Sequence, residues 1–171
     1  HYPLRRQRQM CIRDRFAPRP NVAVREMMRV LKTGGVIAFS TWPPELLTGR
    51  LFALTAKYGP PLPEDLPSPV EWGDVEEIKK RIGDLAKHIS FHRAQYGNPA
   101  MSPAHMRILL ETHIGPIAAV IKYLEDSPNK QSLFRSEIDV LLGEYFENNT
   151  VIQSYLMTVS YTHLRAHETK A

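Results

Sequence analysis

The chain is short of several things that would settle its chemistry. It has one cysteine, Cys11, in 171 residues, and that cysteine lies in an atypical N-terminal stretch. The rest therefore has no disulfide, no thiol nucleophile and no cysteine metal site. Its nine glycines form no G-x-G, so the glycine turn that lets a backbone close on a phosphate or nucleotide is missing from these residues. No run approaches the ~18 apolar residues of a membrane span, and no apolar h-region of a signal peptide is visible. No repeat or low-complexity segment occurs. These absences point to a soluble, cytoplasmic α/β protein with no membrane span.

A basic balance is also absent once the ends are set aside. Residues 1–15 include RRQRQMCIRDR, and residues 160–171 read SYTHLRAHETKA. Both are aperiodic and resemble translated sequencing-adaptor sequence, so we exclude them from fold reasoning as non-native tails. The competing reading, a basic arm for nucleic acid or membrane, lacks an accompanying amphipathic face. The whole chain has 22 basic and 18 acidic residues. Residues 16–159 retain 15 basic and 16 acidic ones. The high pI of 9.3 thus belongs to the tails, and no nucleic-acid partner is implied.

What is present is an α/β alternation. Val22–Lys32 predicts an amphipathic helix with Asn21 as N-cap and Val24, Met27, Met28 and Leu31 on one face. Thr33-Gly34-Gly35 ends it, and Val36–Thr41 follows as a strand buried on both faces. Helix, glycine turn and strand form the returning half of a βαβ crossover. Glu45–Tyr58 predicts a helix, stopped by Gly59-Pro60-Pro61. The proline-rich segment to Trp72 predicts an extended surface loop. Asp74 with Glu77 opens a helix to Ile82 that Gly83 ends. Ala86–Gln95 predicts a strand, with Ile89, Phe91 and Arg93 alternating against His88, Ser90 and His92. Helices follow over Ser102–His113 and Ile117–Leu124, and a third carries the stripe Leu133–Phe146. Asn148-Asn149 turns the chain into a last strand, Thr150–Val159.

RVLKTGG followed by VIAFSTW resembles the RVLKPGG-plus-strand element of class I S-adenosylmethionine-dependent methyltransferases, with Thr33 in place of the usual proline. Phe16-Ala17-Pro18, Trp42-Pro43-Pro44-Glu45, Gly49-Arg50-Leu51-Phe52-Ala53-Leu54, Trp72-Gly73-Asp74 and Glu144-Tyr145-Phe146 are similar to a small-molecule branch related to quinone-biosynthesis enzymes. The resemblance covers Phe16 to Val159. It implies the C-terminal half of a Rossmann-like sheet, strands five to seven, with the last strand antiparallel and inserted between the other two. Residues 102–148 would be a helical insertion serving as a lid. It also implies that the S-adenosylmethionine site, a glycine-rich turn and an acidic residue, lies upstream of this chain. The fragment would then bind the cofactor poorly and leave one strand edge uncovered.

Candidate site residues follow from position. Thr41 and Trp42 end a parallel strand, where open α/β sheets bind ligands; they read as a wall of a substrate cleft or as strand-end packing. Trp72 reads as a residue closing over substrate or as a loop anchor. Phe16 reads, from the resemblance, as touching the cofactor, or else as a core residue. His88 and His92 share a strand face without a third ligand, so no metal is implied. His105 and His113 are base candidates by titration range, or partly exposed helix residues. Glu76-Glu77 with Lys79-Lys80-Arg81 reads as a solvated helix face. No catalytic residue is identified. The functional expectation is a methyltransferase fragment acting on a small-molecule acceptor, itself inactive. Two alternatives are a fragment of a nicotinamide-dependent Rossmann oxidoreductase, whose sheet would end in parallel strands, and a non-catalytic helical interaction module. The module requires an exposed apolar stripe at Leu133–Tyr145.

Overall fold

Among the described residues there are four strands and six helices, and the strand that comes last in the sequence is the central one that joins the sheet. The computed structural model describes residues 17–32, 34–61, 63 and 67–162. The helices are α1 (Pro20–Arg29), α2 (Leu47–Tyr58), α3 (Val75–Ile82), α4 (Pro103–His113), α5 (Gly115–Tyr123) and α6 (Pro128–Gly143). The strands are β1 (Val36–Thr41), β2 (Ala86–Pro99), β3 (Phe146–Glu147) and β4 (Thr150–Thr162). The sheet order is β1-β4-β2, with β4 antiparallel to both neighbours, so β1 and β2 run parallel to each other. Short β3 pairs with β4 across Asn148-Asn149, whose φ angles of 48° and 55° are those of a two-residue hairpin turn of type I′.

The register sorts the side chains. Ile37, Phe39 and Thr41 of β1 stand opposite Ser160, Thr158 and Leu156 of β4, which oppose Ile89, Phe91 and Arg93 of β2. This face is covered by Val24 and Met28 of α1, Ile78 and Ile82 of α3, and Trp72. The hydroxyls of Thr158 and Ser160 are buried in that layer without a hydrogen-bond partner. On the other face Val36 is 48% exposed, and Ala38 and Ser40 are exposed. The expectation that β1 is buried on both faces is corrected: among the described residues, helices pack over one side of it only.

A second core lies beyond the end of the sheet. Phe134, Ile138, Leu141 and Leu142 of α6 are buried with Leu47 and Leu51 of α2, Met106 of α4, Ile117 and Val120 of α5, and Val151 of β4. The predicted stripe is therefore interior, although Leu133 at its start is exposed. These helices pack on α2 and the β3–β4 hairpin rather than along the sheet face.

Several boundaries move for local reasons. The N-cap of α1 is Arg19, not Asn21, because Pro20 takes the first helical position. Helix α2 begins at Leu47 rather than Glu45, after the turn at Pro43-Pro44. Helix α5 begins at Gly115 rather than Ile117, with Pro116 in its first turn. Helix α6 begins at Pro128 and stops before Phe146, which turns into β3. Pro69–Gly73 forms a 3-10 turn at the end of the proline segment, and Gly83 continues into another, Gly83–Leu85. Strand β4 runs three residues past Val159, into the segment set aside as a tail. Ser160 and Tyr161 are held in register by β1 and β2 on both sides; the ladder, not the origin of the residues, decides where the strand ends. Two expected caps are present. Ser102 Oγ accepts the His105 N–H at 3.1 Å, and Asp74 Oδ1 accepts those of Glu76 and Glu77 at 2.8 and 3.2 Å, each worth about 1 kcal/mol.

Helices α4 and α6 are also joined by charge. Arg107 donates to Asp139 at 2.8 Å and to Glu111 at 2.7 Å, and Arg135 reaches Glu111 at 2.9 Å. Burial pushes the Glu111 carboxyl up, but the hydrogen bonds from Arg135 and Arg107 outweigh it and hold the group below 4.5. A carboxyl depressed in the folded state stabilises above its unfolded value, and that contribution is lost as pH falls through the folded one. Thermal melts of the protein should thus drop more steeply below pH 4.5 than those of Glu111→Gln, after normalising each to its neutral-pH midpoint. Parallel pH profiles would refute the linkage.

Candidate functional site

The parallel direction of β1 and β2 brings their carboxyl ends to one edge of the sheet, the end at which open α/β sheets bind ligands. Trp42 leaves β1 there. Tyr96 and Asn98 stand on the neighbouring part of β2, and Gln153 and Tyr155 on β4. The Tyr96 hydroxyl bonds to Gln153 Oε1, Asn98 Nδ2 donates to the same oxygen at 3.3 Å, and Gln153 Nε2 donates to Thr48 Oγ1 of α2. Burial pushes the Tyr96 phenol above its ordinary value, while side-chain hydrogen bonds with Trp42 and Asn98 pull the other way. The rings of Tyr96 and Tyr155 lie 6.1 Å apart. Arg93, which alternates to the opposite face of β2, pairs with Glu45 at 2.9 Å. The cluster offers flat aromatic surface and amide groups. It contains no histidine and no cysteine.

The predicted site residues separate. Trp42 is half-buried at this edge. Thr41 is buried, and its Oγ1 donates to the Leu156 carbonyl at 3.4 Å. Trp72 is 2% exposed, edge-on to Phe39 at 5.7 Å, with the Arg81 guanidinium 5.3 Å from its ring. Thr41 and Trp72 are buried as placed, with α1 and α3 packed over the sheet face they occupy. Phe16 lies outside the described residues. His105 Nδ1 accepts the Met101 N–H at 3.1 Å and so fastens the start of α4; His113 is exposed at the end of α4, and His88 and His92 are exposed on β2. Among the described residues no group of three potential ligands could hold a metal ion. Tyr96 lies beyond Gln95, where the sequence pattern ends β2; Gln153 lies within the predicted last strand, and only the register that sets it opposite Tyr96 marks it out.

The motif segments meet in pairs. Gly73 lies against the Trp42 carbonyl, where a Cβ would come within 2.7 Å of Pro43 N and nearer still to Trp42 O. Gly49 of α2 lies against Pro43 and Pro44 from another side. The WPPE turn is thus seated between two glycines that leave room for it. Arg50 holds Glu144 with both ends of its guanidinium, Nη2 to Oε1 at 2.8 Å, which joins the GRLFAL segment to EYF. These residues are joints of the fold. The charged face of α3 divides similarly: Glu76–Lys79 and Glu77–Lys80 are surface pairs, whereas Arg81 turns inward to Trp72 and Glu71.

A cavity of about 470 Å³ opens elsewhere, between α1 and α3, and includes none of Thr41, Trp42 or Trp72. No helix among the described residues is long and apolar enough to cross a membrane.

No family model matches the chain. It is similar to an uncharacterized protein of Mycobacterium tuberculosis, 29% identical over 146 residues, which span 83% of this chain and 52% of the relative. An uncharacterized protein of Mycobacterium bovis matches with the same figures. A second uncharacterized M. tuberculosis protein is 23% identical over 143 residues, again 83% of this chain and 52% of the relative. The chain thus spans about half the length of the curated relatives it matches.

Proposed function

We propose that this chain is the C-terminal part of a cytoplasmic class I methyltransferase that moves a methyl group from S-adenosylmethionine to a small-molecule acceptor. The observation that carries the reading is the sheet order. The last strand lies between two mutually parallel strands and runs against both, the arrangement that the sequence resemblance implies for strands five, seven and six. It follows a helix, a turn with Gly34 at φ 72° and a strand, in the order that the same resemblance requires. The alternatives draw less support. A doubly wound oxidoreductase sheet would end in parallel strands, and an interaction module would present the α6 stripe to solvent, where it is instead buried.

The described residues hold no G-x-G turn, so they do not by themselves fit S-adenosylmethionine. The reading assigns that site to the portion of the longer relatives that this chain does not span. The part left to these residues is acceptor binding: Trp42, Tyr96 and Gln153 form one wall, orienting the acceptor and excluding water from it.

Calorimetric titration of S-adenosylmethionine tests this. The reading frame extended upstream of Phe16 should bind it saturably, and the present chain should not. An extended protein that folds and shows no binding would remove the methyltransferase reading.

A further inference from the structure

The sheet face turned away from α1 and α3 differs from the rest of the surface. Every second residue of 36–40 in β1, 153–161 in β4 and 88–96 in β2 lies on it, set side by side by the register. None of these positions is Lys, Arg, Asp or Glu, whereas the surface of α3 carries the pairs Glu76–Lys79 and Glu77–Lys80. Val36 and Tyr161 are 48% and 44% exposed, Ala38 is exposed, and Met157 and Val159 are partly so. Helix α2 meets the face at one end, where Gln153 donates to Thr48. The two apolar clusters of the described residues include none of Val36, Ala38, Met157 and Val159. Exposed apolar surface cleared of charge is the composition of a surface that is covered in use. Val159 stands between the short side chains of Ala38 and Ser90, an apolar ridge with room on either side for the side chains of a helix.

The winding of the chain points to the source of that helix. β1 and β2 run parallel, and α1 and α3, which lead into them, lie on one face. Crossovers are right-handed, so helices on one face belong to connections that move one way along the sheet. Connections moving the other way put their helices on the opposite face. Sheets with parallel strands are covered on both faces, and this chain spans 52% of a longer relative. We propose that the open face is the docking surface for an amphipathic helix from the part of the longer polypeptide that this chain does not span, laid with its apolar stripe on Val36, Ala38, Met157 and Val159. The inference rests on the sheet and on the length of the relatives, and it stands apart from methyl transfer.

The test is alkylation by iodoacetamide in the protein extended upstream of Phe16, without cofactor and with each site mapped by mass spectrometry. Ala38→Cys is compared with Lys130→Cys on α6; both positions are exposed, so neither change threatens the fold. In the extended protein Ala38→Cys should react about a hundredfold more slowly, because the helix must first open, and the ratio should not change with protein concentration. In the present chain the two should react at similar rates. Equal rates in the extended protein would overturn the proposal. Protection already present in this chain, or protection lost on dilution, would assign the cover to the chain itself or to a second copy, and would overturn it as well. Val36→Lys gives an independent readout: the thermal midpoint of the extended protein should fall by several degrees, and that of the present chain should hold, since the charge is buried in the first alone. An extended protein that protects position 38 and binds no S-adenosylmethionine would remove the methyltransferase reading and leave this one; binding with position 38 reactive would do the reverse.

Discussion

Phe134→Ala should be the most damaging single truncation in the helical unit, costing about 3–5 kcal/mol. Phe134 is completely buried and packs its ring 5.3 Å from that of Tyr58, with Ile138, Leu141 and Leu142 beside it. The cavity left behind would sit where α2, α5 and α6 converge, and no single helix can move to fill it without losing its other neighbours. Such a loss is a large share of the 5–15 kcal/mol typical of a domain. Urea unfolding should show it as a lower midpoint, and Leu133→Ala, one residue away and 53% exposed, should shift the midpoint little. Equal effects at 133 and 134 would mean that α6 is not packed as described.

Gly73→Ala is expected to cost about 3 kcal/mol or more, for the opposite reason: too little space. The methyl would meet the backbone of Trp42 and Pro43. Pro43 is fully buried and cannot yield. Gly49→Ala makes the argument sharper, because alanine inside a helix ordinarily gains about 1 kcal/mol over glycine. Here the Pro43 oxygen would lie 2.6 Å from the new Cβ, and Pro44 is nearer, so the sign should reverse. Gly143→Ala, at the end of α6 with nothing within 4 Å, should keep the ordinary sign and stabilise. Thermal midpoints of the three variants decide it; a stabilised Gly49→Ala would show that the WPPE turn does not pack against α2. The glycines would also tie the motif residues to assembly rather than chemistry, since their loss should loosen the edge at Trp42 and Tyr96 without removing any reactive group.

The elements were legible where local chemistry specifies them. Gly34 at positive φ, the Ser102 and Asp74 caps, the proline at the start of α4 and the Asn148-Asn149 turn are each written in the residue that adopts the conformation. The apolar positions of α1 and α6 announced which faces would be buried, because a helix has only one stripe to bury. Strand order was anticipated through resemblance, not through pattern, since nothing local to Thr150–Thr162 says that it pairs with both β1 and β2.

What the sequence could not settle is which side chains share a surface. The same alternation of Thr41 and Trp42 is compatible with either one facing a ligand. The covering of one sheet face by α1 and α3 buries Thr41 and Trp72 and leaves Trp42 at the edge. Arg81 reads as the last of three solvated cations, yet tertiary packing draws it onto Trp72 and leaves one of its donors unpaired. Tyr96, Gln153 and Thr48 are far apart in the chain and meet only because β4 registers against β2 beneath α2. Local propensity determined the elements of this protein. Its candidate site was decided by long-range burial and strand register, which depend on residues the local pattern never compares.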